Sequence, residues 1–257
     1  MSTKEFYDDF YSKALKSNAH SKLCKKVYGV DLCQHGMADN DQIMIMLEAL
    51  KINDRSNVLD VGCGPGAITK YIQEQTKCYI TGIDISEKAI EYAIANNKSK
   101  KETYLISNMV DYSCENDLYD AILFIDTHYF VNDFLSLIPK YQKALKRNGR
   151  IAIFSDQGTG IINFDESKTL PSETIIGKYL VDNEIEFEGI CFYYENKKHW
   201  RYKQEVLLEL KDEFIKEGND SIFENRIKEC NKEIENIGGR YLFIIEKRKR
   251  PTKASTL

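Results

Sequence analysis

Between residues 57 and 154, short apolar runs alternate with longer stretches whose apolar residues recur every three or four positions. The runs at 58–61, 79–83, 103–106, 119–125 and 150–154 read as strands, and the stretches at about 67–75, 87–97 and 134–145 read as helices. Alternation of this kind predicts an α/β fold, a parallel sheet with helices on both faces. The third helix runs into Arg147-Asn148-Gly149, which reads as a left-handed stop. Upstream, 4–16 and 39–51 read as helices, with Asp39 or Asp41 as N-cap for the apolar run 43–50. Residues 1–56 are thus expected to form an N-terminal helical cap or lid. The polar, glycine-punctuated loop 28–37 would lie over the mouth of the sheet.

Beyond the fifth strand the periodicity loosens. A polar stretch at 156–172, a short helix near 173–183 and an aromatic strand at 187–194 precede a long charged helix at 202–236, with a break at Gly218. Gly238-Gly239 then introduces a clean apolar strand, 240–246, placed to close the sheet. The basic tail from Lys247 reads as frayed and solvated. Residues 57–257 are therefore taken as one domain, with a core at 57–155 and an insertion at about 156–205.

The strand at 58–61 runs directly into Gly62-Cys63-Gly64-Pro65-Gly66 and then a helix. Glycine lets the backbone turn sharply and approach a ligand without a Cβ in the way. The following helix would aim its free N–H groups at the same spot, which suits an anionic group. The third glycine comes one residue too early for the dinucleotide fingerprint, which argues against a nicotinamide cofactor. Asp84 ends the second strand, 22 positions after Gly62, where a carboxylate can accept from the hydroxyls of a ribose.

Through Val58-Leu-Asp-Val-Gly-Cys-Gly-Pro-Gly66 and Gly82-Ile-Asp-Ile-Ser86, the chain resembles the class I S-adenosylmethionine-dependent methyltransferases. The resemblance covers about 57–154. It implies a Rossmann-like seven-stranded, mostly parallel sheet whose last strand is antiparallel. It also implies S-adenosyl-L-methionine as cofactor and S-adenosyl-L-homocysteine as product. Asp60, Gly62, Cys63, Gly64 and Gly66 would hold the methionine portion, Asp84 the ribose, and Ile85 would lie beside the adenine. Asn108 and Met109 stand where the family often has Gly-Asp-Ala; the Asn108 carbonyl can accept from the adenine amino group and Met109 can pack on the ring. Ile125, Tyr28 and Gln34 are further candidates for the cofactor's surroundings, with His35, Tyr7 and Tyr11 as helpers in a closing lid.

The acceptor must be argued from the ends of the strands and from the elaborations. Asp126, His128 and Tyr129 follow the fourth strand at the carboxyl edge, where substrates of open sheets bind, and are the candidate catalytic group. His128 has a suitable ordinary pKa for a base, against the alternative of a core or capping histidine. The aromatic stretch 192–202 could wall an acceptor or form core beneath the long helix. Thirty-six Lys and Arg against 40 Asp and Glu give a net charge of −4, without the basic excess a polynucleotide partner calls for. Seven cysteines without a Cys-x-x-Cys pair fit neither a zinc site nor a disulfide framework, so no metal is expected. No export signal or long apolar run is present, which points to a cytoplasmic monomer or homodimer with no membrane attachment. The expected function is methylation of a small-molecule acceptor; the alternatives are a tRNA or protein acceptor, or a non-catalytic cofactor-binding scaffold.

Overall fold

The computed structural model describes residues 2–156, 170–235 and 238–247. Its strands are β1 (Asn57–Val61), β2 (Tyr79–Asp84), β3 (Glu102–Ile106), β4 (Tyr119–Ile125), β5 (Leu145–Asp156), β6 (Phe187–Cys191) and β7 (Arg240–Glu246). They form one sheet in the order β3-β2-β1-β4-β5-β7-β6, in which β7 alone runs antiparallel to both its neighbours. The expected architecture is the one observed.

Period-two alternation sorts the strand residues onto two faces. Leu59, Val61, Phe124, Ile153 and Phe243 enter one buried cluster with α6 (Ile138–Ala144) and α7 (Ile175–Asp182). Val58, Ile80, Leu123, Phe154 and Ile244 enter the other with α3 (Asn40–Leu50) and α4 (Ala67–Thr76). Because both faces are covered, the central strands read as continuous apolar runs. Of the two candidate caps for α3, Asp39 is the one that accepts from the Gln42 N–H.

A third cluster lies above the carboxyl edge of the sheet. It unites α1 (Thr3–Ala14) and α2 (Asn18–Tyr28) with α8 (Tyr193–Glu209), α9 (Lys211–Lys216) and α10 (Asp220–Glu235), around Phe10, Leu23, Trp200, Leu207, Phe214 and Phe223. The cap is thus built from both ends of the chain rather than from the first 56 residues alone. Helix α2 is absent from the periodicity reading, although Ala19, His20, Leu23, Cys24 and Tyr28 recur at helical spacing and are buried, with Lys22, Lys25 and Lys26 on the exposed face. The expected aromatic strand stops at Cys191; Tyr193–Tyr202 belong to α8, and Trp200 is buried in the cap. The long charged helix is three helices, parted at Leu210 and at Gly218, whose φ of 70° ends α9's run. Gly149 is not a helix stop. It lies within β5, where a Cβ would come within 2.8 Å of the Tyr119 carbonyl. The polar stretch at 157–169 and the tail from 248 lie outside the described residues.

Sheet and cap meet at Asp126, which follows β4 in the left-handed region at φ 56°. Its carboxylate accepts from the Met37 and Ala38 N–H groups at 2.7 and 3.1 Å and pairs with Arg240 at 2.7 and 3.1 Å. Arg240 in turn donates to Gln42 of α3 at 2.7 Å, and its side chain is fully buried. Removing one partner of a buried ion pair leaves an uncompensated charge. Arg240→Leu should therefore lower the unfolding free energy by about 3–5 kcal/mol in denaturant titrations, a far larger loss than Lys22→Ala at the exposed pair with Glu213.

Candidate active site

After β1 the chain turns through Gly62, Gly64 and Gly66 at φ 83°, 53° and 78°. A Cβ on Gly62 would meet the Thr127 methyl at 2.4 Å, and one on Gly64 the Tyr11 hydroxyl at 2.6 Å. The Gly62 and Cys63 N–H groups donate to the Ile83 carbonyl, and Gly64 N–H donates to the Asp84 carboxylate at 2.8 Å. The other Asp84 oxygen accepts from Ser86 N–H at 2.8 Å, so the glycine loop and the end of β2 form one hydrogen-bonded unit. Burial raises the Asp84 pKa, and these N–H donors oppose the rise. Gly66 caps α4 without a side chain, leaving the N–H groups of the first turn directed toward the space in front.

That space is a cavity of about 260 Å³. The glycine loop, Asp84, Ile85, Asn108, Met109 and Ile125 form its floor. Thr3, Tyr7 and Tyr11 of α1, with Leu32–Gly36, form the roof, and Tyr129 and Phe130 stand exposed at the mouth. The roof is fastened where Ser86 donates its hydroxyl to Asp8 and Arg226 donates to the His35 carbonyl at 3.2 Å.

Nine of the twelve expected cofactor residues line this cavity: Gly62, Cys63, Gly64, Asp84, Ile85, Asn108, Met109, Ile125 and Gln34. Asp60, Gly66 and Tyr28 do not. Asp60 is buried beneath the loop and accepts from the Thr69 hydroxyl at 2.6 Å; burial raises its pKa to about 6. Gly66 packs tightly on Tyr104 and Ala93. Tyr28 lies inside the cap, 5.2 Å from the His199 ring. The Asn108 side-chain carbonyl, expected to accept from an adenine amino group, accepts from Val110 N–H at 2.9 Å. Of the candidate catalytic group, Asp126 and Tyr129 line the cavity and His128 does not. The His128 Nε2 stands 3.2 Å from the Ser155 hydroxyl, its ring packs on Phe134, and burial holds its pKa down at about 4 against the pull of Asp126.

The lid helpers Tyr7, Tyr11 and His35 all reach the cavity, with the Tyr7 hydroxyl 3.4 Å from His35 Nδ1. Thr3 joins the two tyrosines at four-residue spacing, one stripe of α1, and that spacing was the available signal for it. Arg240 and Arg226 also shape the site, the first visible only as a lone cation opening an apolar strand.

Residues 58–149 match the family model described as a methyltransferase domain. A release factor glutamine methyltransferase of Fusobacterium nucleatum is 29% identical over 140 residues, 53% of this chain and 37% of its own length. A phosphoethanolamine N-methyltransferase of Caenorhabditis elegans is 23% identical over 150 residues, 57% of this chain and 34% of its own. The chain spans about a third of the length of these relatives. Among solved structures, a Haemonchus contortus phosphoethanolamine N-methyltransferase in complex with phosphomonomethylethanolamine and S-adenosylhomocysteine superimposes with a TM-score of 0.74 at 15% identity, covering 95% of this chain and 60% of that one. Residues 58–149 match a methyltransferase domain, and the chain shares the fold of this solved methyltransferase.

The lining of this methyltransferase domain fits S-adenosylmethionine. The Gln34 amide Nε2 is buried against the cavity without a partner among the described residues, while its carbonyl accepts from Leu32 N–H at 3.0 Å. Gly62 and Gly64 line the cavity, and a Cβ on either would collide with Thr127 or Tyr11. The described residues hold no His, Cys, Asp or Glu group able to take a metal and no helix long and apolar enough to cross a membrane.

Two pH effects of opposite sign follow from the buried groups. Asp60, raised in the fold, contributes stability that is fully present below about pH 4 and lost as pH rises through 6. His128, lowered in the fold, contributes stability that is present above about pH 6.5 and lost as pH falls through 4. Asp60→Asn should flatten the first change, roughly 2–3 kcal/mol, and His128→Gln the second, in unfolding titrations between pH 4 and 7.

Proposed function

We propose that this chain transfers a methyl group from S-adenosylmethionine to a small-molecule acceptor. The observation that carries the reading is the cavity between the Asp84–glycine loop unit and a roof of α1 and residues 32–36. Bound there, the cofactor supplies an electrophilic methyl group on a sulfonium. Asp84 accepts from the ribose hydroxyls, Ile85 and Met109 pack on the adenine, and the Asn108 side chain meets its polar edge. The Gln34 amide and the first-turn N–H groups of α4 hold the carboxylate. Tyr11 closes over the loop, and the packed roof excludes water from the reacting atoms.

In this reading Asp126 is a positioning residue. Its carboxylate is engaged by the roof N–H groups and by Arg240, so it sets where residues 34–38 stand. His128 braces the β4–β5 edge through Ser155, and Tyr129 walls the mouth. The enclosed roof favours a small acceptor over the protein named for the Fusobacterium relative.

Calorimetric titration with S-adenosylmethionine, S-adenosylhomocysteine and NAD tests the reading. The first two should bind in the micromolar range and NAD should not. Asp84→Ala should weaken both by roughly ten- to a hundredfold, the worth of hydrogen bonds to a charged group. Absence of S-adenosylhomocysteine binding to the wild-type chain would overturn the proposal.

A further inference from the structure

Resting on that reading, we infer that the acceptor is a small amine carrying no phosphate or carboxylate, its nitrogen received by the ring wall of Tyr7, Tyr129 and Phe130. The three rings are contiguous. Phe130 meets Tyr7 edge to face at 5.4 Å and Tyr129 at 4.6 Å, and Tyr7 stacks on Tyr11 at 5.8 Å. Aromatic faces attract ammonium centres, at about 0.5–2 kcal/mol each.

Among the described residues, no Lys or Arg lines the cavity. Three buried cations stand behind its wall and are engaged there. Arg226, fully buried, stands 5.0 Å over the Phe10 ring and donates to Glu229 at 2.8 Å. Lys203, also fully buried, donates to Glu229 at 3.2 Å, and Arg240 is spent on Asp126. With the Gln34 amide and the α4 N–H groups taken by the cofactor's own carboxylate, a phosphate or carboxylate on the acceptor would be desolvated with no lysine or arginine beside it among the described residues, which is costly. Phosphoethanolamine, the acceptor named for the Caenorhabditis relative, is thereby disfavoured.

A hydroxyl acceptor would need a base to remove its proton. In this reading Asp84 is taken by the ribose hydroxyls and two N–H donors, and Asp126 by Arg240 and the two roof N–H groups. His35 is held far below an ordinary histidine pKa by burial and then by Arg226, too weak a base for an alcohol. An amine reaches its reactive neutral form by giving its ammonium proton to water at the mouth, before attack and without a protein base. Its lone pair forms the N–C bond while the methyl–sulfur bond breaks with its electron pair left on sulfur; a primary or secondary amine then releases its N–H proton to water. The cation so formed faces the rings.

The test is calorimetry on the full chain loaded with S-adenosylhomocysteine. Tetramethylammonium chloride is the probe, with inorganic phosphate and phosphoethanolamine as counter-probes. Tetramethylammonium should bind, about tenfold more weakly in Phe130→Ala and in Tyr129→Ala, with affinity kept in Tyr129→Phe. Both substituted rings are exposed at the mouth, so the fold is not at stake. The counter-probes should not bind. Binding of phosphate or phosphoethanolamine, absence of tetramethylammonium binding, or indifference to both alanine variants would overturn the amine assignment. A chain that fails to load S-adenosylhomocysteine would instead overturn the methyltransferase reading itself.

Discussion

The ion pair of Asp126 and Arg240 is the constraint on which the site depends. Two opposite charges removed from water are stable only when the remaining lone pairs and protons also find partners. Here they do: two N–H groups from the segment after Gly36, both terminal nitrogens of Arg240, and Gln42 on the far side of the guanidinium. The ends of β4 and β7, the start of α3 and the roof of the cavity are therefore joined at one point. Gly36 is compressed into the same junction, since a Cβ there would lie 2.7 Å from the Asp126 carboxylate. A strand end in the left-handed region is tolerated because its surroundings over-determine it.

From that junction the division of labour in the cavity follows. One wall belongs to the rigid sheet and carries the glycine loop with Asp84. The other belongs to a cap whose own interior is charged, with Lys203 and Arg226 sharing Glu229; burial works against the carboxylate, but the two cations outweigh it and hold its pKa far down. The same cations, acting after burial, keep His35 neutral. Positive charge is thus gathered behind the roof, and the space in front of it is left to aromatic rings, hydrogen-bonding groups and the carboxylates of Asp84 and Asp126.

The sheet was legible because strands buried on both faces must be apolar throughout, and the glycine loop because left-handed turns at close approach admit little else. Gly62 and Gly64 could be set beside the cavity for that reason, Asp84 by its spacing from them, and Ile85 and Met109 only through the family resemblance. The cap was poorly legible. Its helices bury charged residues, so Lys203, Arg226 and Glu229 read as a solvated face rather than as core. His128 illustrates a similar gap: a histidine after β4 reads as a base, yet a short 3-10 turn points its ring away from the cavity toward Ser155 and Phe134. Asp126 could be placed at the edge of the sheet, but nothing in the local sequence reveals a guanidinium 114 positions away.

Hydrogen exchange with and without S-adenosylhomocysteine tests the central claim most directly, that the cofactor is held between the glycine loop and a roof fixed through Asp126. The account predicts slowed exchange in three separate stretches together: the glycine loop with the first turn of α4, residues 32–36, and α1. Protection confined to the sheet side, with α1 and 32–36 unchanged, would contradict it.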